Sequence, residues 1–251
     1  MTQPSSTVNA PEVTPAEIKR VVTGYWHTNA HRYDLAPEHV VTDEVFMERW
    51  LQLLAPHLPQ AQGARVLDVG CGTGFLSQLT AKLGHHTTGL DFSESMLQIA
   101  KGKAEAQGLD IDFVQGDADH LPFADGTFTA LVERHVLWTM ADPAATLREW
   151  LRVLSPGGVY LHIGGDWSNL QPATDTGRSP QEFSYSSIEH ALRFPEGARP
   201  EEMVELFTEA GLIVRGITEL PEASYWQTHH PEAPLRRYLI VAERPAADDE
   251  A

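Results

Sequence analysis

Cysteine is almost missing from the 251-residue chain, which has only Cys71. This excludes an intrachain disulfide framework and any zinc site built on several thiolates, and it fits a reducing compartment. Basic residues are scarce too. The 18 Lys and Arg stand against 35 Asp and Glu, a formal charge of -17, which repels phosphate backbones and anionic headgroups. Neither nucleic acid nor a membrane surface is expected as a partner. No run approaches the ~18 consecutive apolar residues of a spanning helix. The opening MTQPSSTVNAPEVTPAE has no basic stretch followed by an apolar one, so no signal peptide is expected and the location is read as cytoplasmic. Internal repeats and low-complexity arrays are absent. Histidines number 12 but are scattered. The one pair at helical i, i+4 spacing, His27 and His31, lacks the glutamate of the zinc-protease motif, and no metal is expected.

What is there is globular material, 42% hydrophobic and 21% charged, enough for one sizeable core. Residues 1–15, rich in Pro, Ser and Thr, and the acidic tail 246–251 are expected to be disordered. A helix is predicted from Pro15 on, where Ile18, Val21, Val22, Tyr25 and Trp26 recur at three- and four-residue steps, and another over Thr42 to Leu54. Together they make a helical cap over residues 16–60. Beyond Gly63, short apolar runs alternate with amphipathic helices, the pattern of a parallel sheet covered on both faces. Strands are predicted at Arg65 to Val69, Thr87 to Leu90, Ile111 to Gln115, Phe128 to Val132 and Val159 to Ile163. Asp142 and Pro143 start a helix that runs into a Pro156-Gly157-Gly158 turn. Residues 166–199 break the rhythm and read as an insertion or lid. A helix from Pro200 to Ala210 and strands near Leu212 to Thr218 and Arg237 to Ala242 follow. Residues 16–245 are therefore read as a single domain.

The most informative stretch is VLDVGCGTGFLSQL, a strand running through Gly70, Gly72 and Gly74 straight into a helix. Such glycines let backbone approach a ligand at the carboxyl edge of the first strand. The dinucleotide fingerprint needs a third glycine three residues after the second, where this chain has Phe75. Asp68, inside the strand, would also lie badly beside a pyrophosphate, whereas it can help hold a ligand's ammonium. Asp91 ends the second strand, 23 residues beyond Asp68, close to where ribose-binding acids fall. It can equally cap the helix that starts at Ser93. Asp117, after the third strand, can accept from an adenine amino group.

In order and spacing, VLDVGCGTGF, GLDFSESML, GDADHLPFADGTFTALV and LREWLRVLSPGGVYL resemble the class I S-adenosylmethionine-dependent methyltransferases of the broad small-molecule group. The resemblance covers roughly residues 60–165. It implies an α/β, Rossmann-like three-layer sandwich with a seven-stranded, mostly parallel sheet whose last strand is antiparallel. It implies S-adenosylmethionine as cofactor, with Gly70, Gly72 and Gly74 around its amino-acid portion and ribose, Asp91 at the ribose, Asp117 and Ala118 at the adenine, and Asp68, Cys71, Phe92, Met96 and Glu133 as further cofactor contacts. TGYWHTNAHRYD resembles the N-terminal element these enzymes fold over the cofactor, bringing Tyr33 to its carboxylate. ERHVLWTMADP resembles a variant of the loop after strand four, with Glu133, Arg134 and His135 beside the reacting centre.

A sulfonium donor is already activated, so such an enzyme chiefly aligns its substrates and excludes water. Where the acceptor is a hydroxyl or ammonium, a base is needed, and His135 is the first candidate. Tyr25, His27, His31, Arg134, Trp138 and Trp167 are candidate contacts to a small-molecule acceptor, with Tyr185 and Trp226 as further aromatic walls. The alternative is a non-catalytic cofactor-binding or regulatory protein on the same scaffold.

Overall fold

The computed structural model describes residues 13–35, 39, 41–168, 183–226 and 235–246. Residues 1–12 of the expected disordered N-terminus, 169–182 of the expected lid and 247–251 of the tail lie outside the described residues. The disordered reading of residues 13–15 does not hold. Thr14 caps helix α1, Pro15–Tyr33, by accepting from the Glu17 N–H at 3.2 Å, and Pro15 takes the first helical position, where no N–H is needed.

Helix α2, Glu44–Leu54, is capped by Asp43 and begins slightly later than its apolar pattern suggested. Strands β1, Arg65–Val69, β2, His86–Asp91, and β3, Ile111–Gln115, alternate with helices α3, Phe75–Lys82, and α4, Glu94–Ala106. Next come β4, Phe128–Arg134, α5, Pro143–Val153, β5, Leu154–Asp166, α6, Pro200–Glu209, β6, Ile213–Glu219, α7, Glu222–Tyr225, and β7, Arg236–Glu243. The seven strands form one sheet in the order β3-β2-β1-β4-β5-β7-β6. All pairs are parallel except those made by β7, which runs against both β5 and β6.

Two details depart from the sequence reading. The Pro156-Gly157-Gly158 segment is no turn between elements, because pairing with β4 begins at Leu154, skips, and resumes at Val159. A left-handed Gly157 absorbs the irregularity. The cap also splits. Trp50 and Leu54 of α2 are buried in the core with Val66, Leu76, Leu79, Val132 and Leu239, on one face of the sheet. The opposite face carries Leu67, Val69, Tyr160 and Ile240 against Trp150 of α5 and Leu206 and Phe207 of α6. Val66 and Leu67 thus point to opposite layers, as the two-residue strand period requires. Only α1 lies apart, with Ile18, Val21 and Val22 packed on Ile188 and Leu192 of the insertion. No described helix is long and apolar enough to cross a membrane.

Candidate active site at the carboxyl edge of the sheet

The parallel strands deliver their carboxyl ends to one edge, where the loops surround a cavity of about 300 Å3. The glycine loop is its floor. Gly70 takes a φ of 63° and Gly72 of 52°, a region that glycine enters without a Cβ clash. A Cβ on Gly70 would stand 2.6 Å from Val136 Cγ2, so the loop after β4 closes directly upon it. A Cβ on Gly72 would meet no atom within 4 Å. Gly72 fronts open space that a ligand's own atoms can fill.

Beside it, the buried Asp91 carboxylate accepts from the Gly72 N–H at 2.9 Å and the Ser93 N–H at 2.8 Å. Ser93 Oγ caps α4 through the Met96 N–H, so Asp91 is free of the capping role and ties the glycine loop to the helix start. Burial pushes its carboxyl up to about 6 against the pull of those two N–H groups. Asp68 is also buried, accepts from Ser77 Oγ at 2.5 Å, and is pushed by burial to about 7. It borders a separate cavity of about 20 Å3 with Tyr33, Cys71, Thr73, Phe75 and Arg134. Burial, then the Asp68 and Asp91 charges, hold the Cys71 thiol well above its ordinary value, so it packs without reacting.

The other side of the cavity is aromatic and cationic. The Arg134 guanidinium lies 4.3 Å from the Phe75 ring centroid and its Nη2 donates to the His39 carbonyl at 2.7 Å. Its Nη1 is buried without a hydrogen-bond acceptor among the described residues, a costly arrangement that an anion would relieve. His135 holds a φ of 62°, unusual for a non-glycine residue, while its N–H donates to the Ile163 carbonyl at 3.1 Å. Burial, then the Arg134 and Arg237 charges, keep its imidazole well below the usual histidine range, so it stays unprotonated at neutral pH. Trp167 meets His135 edge-on at 5.4 Å and Trp138 at 5.8 Å. From α1, Trp26 and Tyr33 reach the cavity, Tyr33 stacked on His39 at 4.2 Å.

Of the residues singled out in the sequence, Tyr33, Gly70, Gly72, Asp91, Phe92, Met96, Ala118, Arg134, His135, Trp138 and Trp167 line this one cavity. Asp68 and Cys71 adjoin it, and Gly74, left-handed at φ 83°, starts α3 beneath it. Others are placed elsewhere. The Asp117 carboxylate is turned to Lys19 of α1, which also binds Asp119 at 3.0 Å. Glu133 is wholly buried behind the loop, accepting from the Val136 N–H at 3.0 Å. His27 and His31 sit on the exposed face of α1. Tyr25 packs on Trp26 and Tyr185, and Trp226 is core beneath Arg237. Trp26, His39, Leu235 and Arg237 line the cavity without having been singled out as site residues. Trp26 was legible, seven residues before Tyr33 and so on the same helical face. Arg237 and Leu235 were not, because only the antiparallel return of β7 brings them to this edge.

The donor set fits S-adenosylmethionine. There is open space at Gly72 for an amino-acid portion, a cationic Nη1 of Arg134 with no partner among the described residues, and a buried carboxylate at Asp91 beside the glycine loop. A family profile described as a methyltransferase domain matches residues 67–162. A demethylmenaquinone methyltransferase of Renibacterium salmoninarum is 40% identical over 129 residues, 50% of this chain and 53% of that protein. The chain thus spans about half the length of that relative. A ubiquinone biosynthesis O-methyltransferase of Dinoroseobacter shibae is 28% identical over 219 residues, 82% of this chain and 83% of the relative. Among solved structures, a Burkholderia thailandensis 1,6-didemethyltoxoflavin-N1-methyltransferase, with 1,6-didemethyltoxoflavin and S-adenosylhomocysteine bound, superposes with a TM-score of 0.67 at 19% identity. That match covers 95% of this chain and 93% of the other.

Proposed function

Because the chain belongs to the class I, Rossmann-like S-adenosylmethionine-dependent methyltransferases, we propose that it transfers the methyl group to a hydroxyl of a small, planar aromatic acceptor. The observation that carries this reading is that His135 lines the cavity edge-on to Trp167, which in turn meets Trp138, so that an imidazole and two indoles share one wall. Indole walls suit a flat acceptor. An unprotonated imidazole can receive a hydroxyl proton, and Arg134 and Arg237 favour the oxygen's developing negative charge. The relatives named for ubiquinone biosynthesis O-methylation and for demethylmenaquinone support an aromatic or quinol acceptor.

When bound, the cofactor supplies an electrophilic methyl on sulfur, and the protein's own groups do the rest. Asp91 accepts from the ribose hydroxyls, Arg134 Nη1 donates to the carboxylate, and Tyr33 closes over that end. Phe92, Met96 and Ala118 bound the adenine. Asp68 acts from beneath the loop on the ammonium. Trp26 and Tyr33 of α1, with residues 183–199, form the cover that excludes water, and residues 16–245 work as one domain. The single cysteine supports a cytoplasmic location, and the formal charge of -17 disfavours a nucleic-acid acceptor.

Calorimetry with S-adenosylmethionine and S-adenosylhomocysteine, followed by product assay on a panel of catechols, hydroxybenzoates and hydroquinones, tests the reading. Donor binding and methylation of at least one phenolic oxygen are expected. Transfer exclusively to nitrogen or carbon acceptors would refute the hydroxyl assignment.

A further inference from the structure

Behind His135 lies a second constellation. The wholly buried Glu133 accepts from the Val136 N–H at 3.0 Å, from the Tyr160 hydroxyl at 3.1 Å, and from His162 Nδ1 in a short contact. A carboxylate that accepts from His162 Nδ1–H leaves His162 Nε2 as a bare acceptor. This Nε2 is buried without a partner among the described residues, and so is Nδ1 of His135. Both rings border one void of about 10 Å3, together with Gly164 and Tyr238, which is the room one water needs. A Cβ on Gly164 would collide with His162 Nε2 and stand 3.0 Å from the Tyr238 hydroxyl, so the missing side chain keeps the space open. His135 lines the main cavity as well and separates the acceptor space from the void.

We propose that His135, one ordered water, His162 and Glu133 form a relay that carries the acceptor's hydroxyl proton out of the main cavity; this rests on hydroxyl methylation as the reaction. The acceptor O–H bond breaks as its proton passes to His135 Nε2. The oxygen pair bonds to the methyl carbon and the carbon–sulfur pair returns to sulfur. His135 gives its Nδ1 proton to the water, which passes one of its own to His162 Nε2. The positive charge that leaves the sulfonium thus ends on His162, beside the Glu133 carboxylate. A charge resting on His135 would face Arg134 and Arg237, as well as His39 and His162. The groups around His162 are Glu133 from β4, Tyr160 from its own strand, Tyr238 from β7, Phe207 from α6 and His135 itself. Glu133 is the one fixed charge among these, and its sign is favourable.

Long-range proton–nitrogen NMR on histidine-labelled protein saturated with S-adenosylhomocysteine reads the relay directly. The expected tautomers are Nδ1–H at both His162 and His135, and an Nε2–H tautomer at His162 overturns the proposal. With a catechol as acceptor, His162→Phe and Gly164→Ala should each lower turnover at neutral pH by about 100-fold, the scale of lost proton transfer. Affinity for S-adenosylhomocysteine should be unchanged. Near pH 9.5, roughly where a phenol begins to ionise unaided, both variants should recover toward wild type. An equal loss at every pH means a packing role and overturns the relay. If either variant fails to fold, the wild-type tautomers decide. If no phenol is methylated, the hydroxyl reading fails while the tautomers still report whether the relay geometry exists.

Discussion

Asp91, proposed to hold the donor's ribose, is a buried carboxylate whose chemistry is readable one residue at a time. Its carboxyl is raised to about 6 and that of Asp68 to about 7, both first by burial. Their folded values lie above those of the unfolded chain, near 3.8. The native state therefore holds protons that the unfolded chain has released. Their contribution to stability is complete below about pH 4 and is lost as the pH rises to 7. Donor binding runs the other way, because a sulfonium, an ammonium and ribose hydroxyls all favour ionised carboxylates. The thermal upshift produced by S-adenosylmethionine should be larger at pH 7.5 than at pH 5.5; a flat dependence in differential scanning would contradict this. Asp91→Asn should weaken donor binding by roughly 1.5 to 3 kcal/mol, the scale of a hydrogen bond to a charged group, as calorimetry would report.

At the scale of elements, α1 is a strap pinned at both ends. Near its start, Lys19 binds Asp117 and Asp119, and Asp119 accepts from Thr146 Oγ1 at 2.5 Å. At its end, Asp34 accepts from Thr73 Oγ1 at 2.8 Å and pairs with Lys103 at 2.6 Å. The strap crosses the cavity between these pins, so cofactor exchange has to loosen one of them. Lys19 is 42% exposed, and water screens its pairs to at most about 1 kcal/mol. Lys19→Ala should therefore speed S-adenosylhomocysteine release by no more than about five-fold, with wild-type release accelerating in high salt. Stopped-flow dissociation that ignores both the substitution and the salt would show that the pins do not gate exchange. The same pairing decides how the Asp117 carboxylate is turned, which the sequence pattern alone does not show. Its position after β3 is local information, but its orientation depends on a lysine 98 residues away.

For the whole molecule, α2 is part of the central core and not a cover. Trp50 is fully buried, donates from Nε1 to the Tyr225 carbonyl at 2.9 Å, and meets Phe75 and Trp226 edge-on at 5.2 Å each. Trp50→Ala should cost about 3 to 5 kcal/mol, lowering the melting temperature by roughly 6 to 20 °C for a chain of this size. A single cooperative transition is expected, since the cavity would open between helix and sheet. An independent early transition of the N-terminal region would mean that α2 is only appended.

The sequence by itself determined the alternation of strands and helices, the helix starts at Pro15 and Asp142, the left-handed glycine loop, and the placing of Asp91 at the end of β2. These depend on neighbours within four residues, where periodicity, capping and the missing Cβ of glycine act directly. Tertiary structure alone decided that His27 and His31 face solvent, that Glu133 turns inward to His162, and that Arg237 enters the cavity. The first follows from the face of α1 that packs on Ile188 and Leu192, the other two from sheet register. Glu133 pairs with His162 across β4 and β5, and the antiparallel β7 sets Arg237 opposite Gly165. A shift of one residue in either pairing would send those side chains to the other face of the sheet, and no local pattern along the chain encodes which register wins.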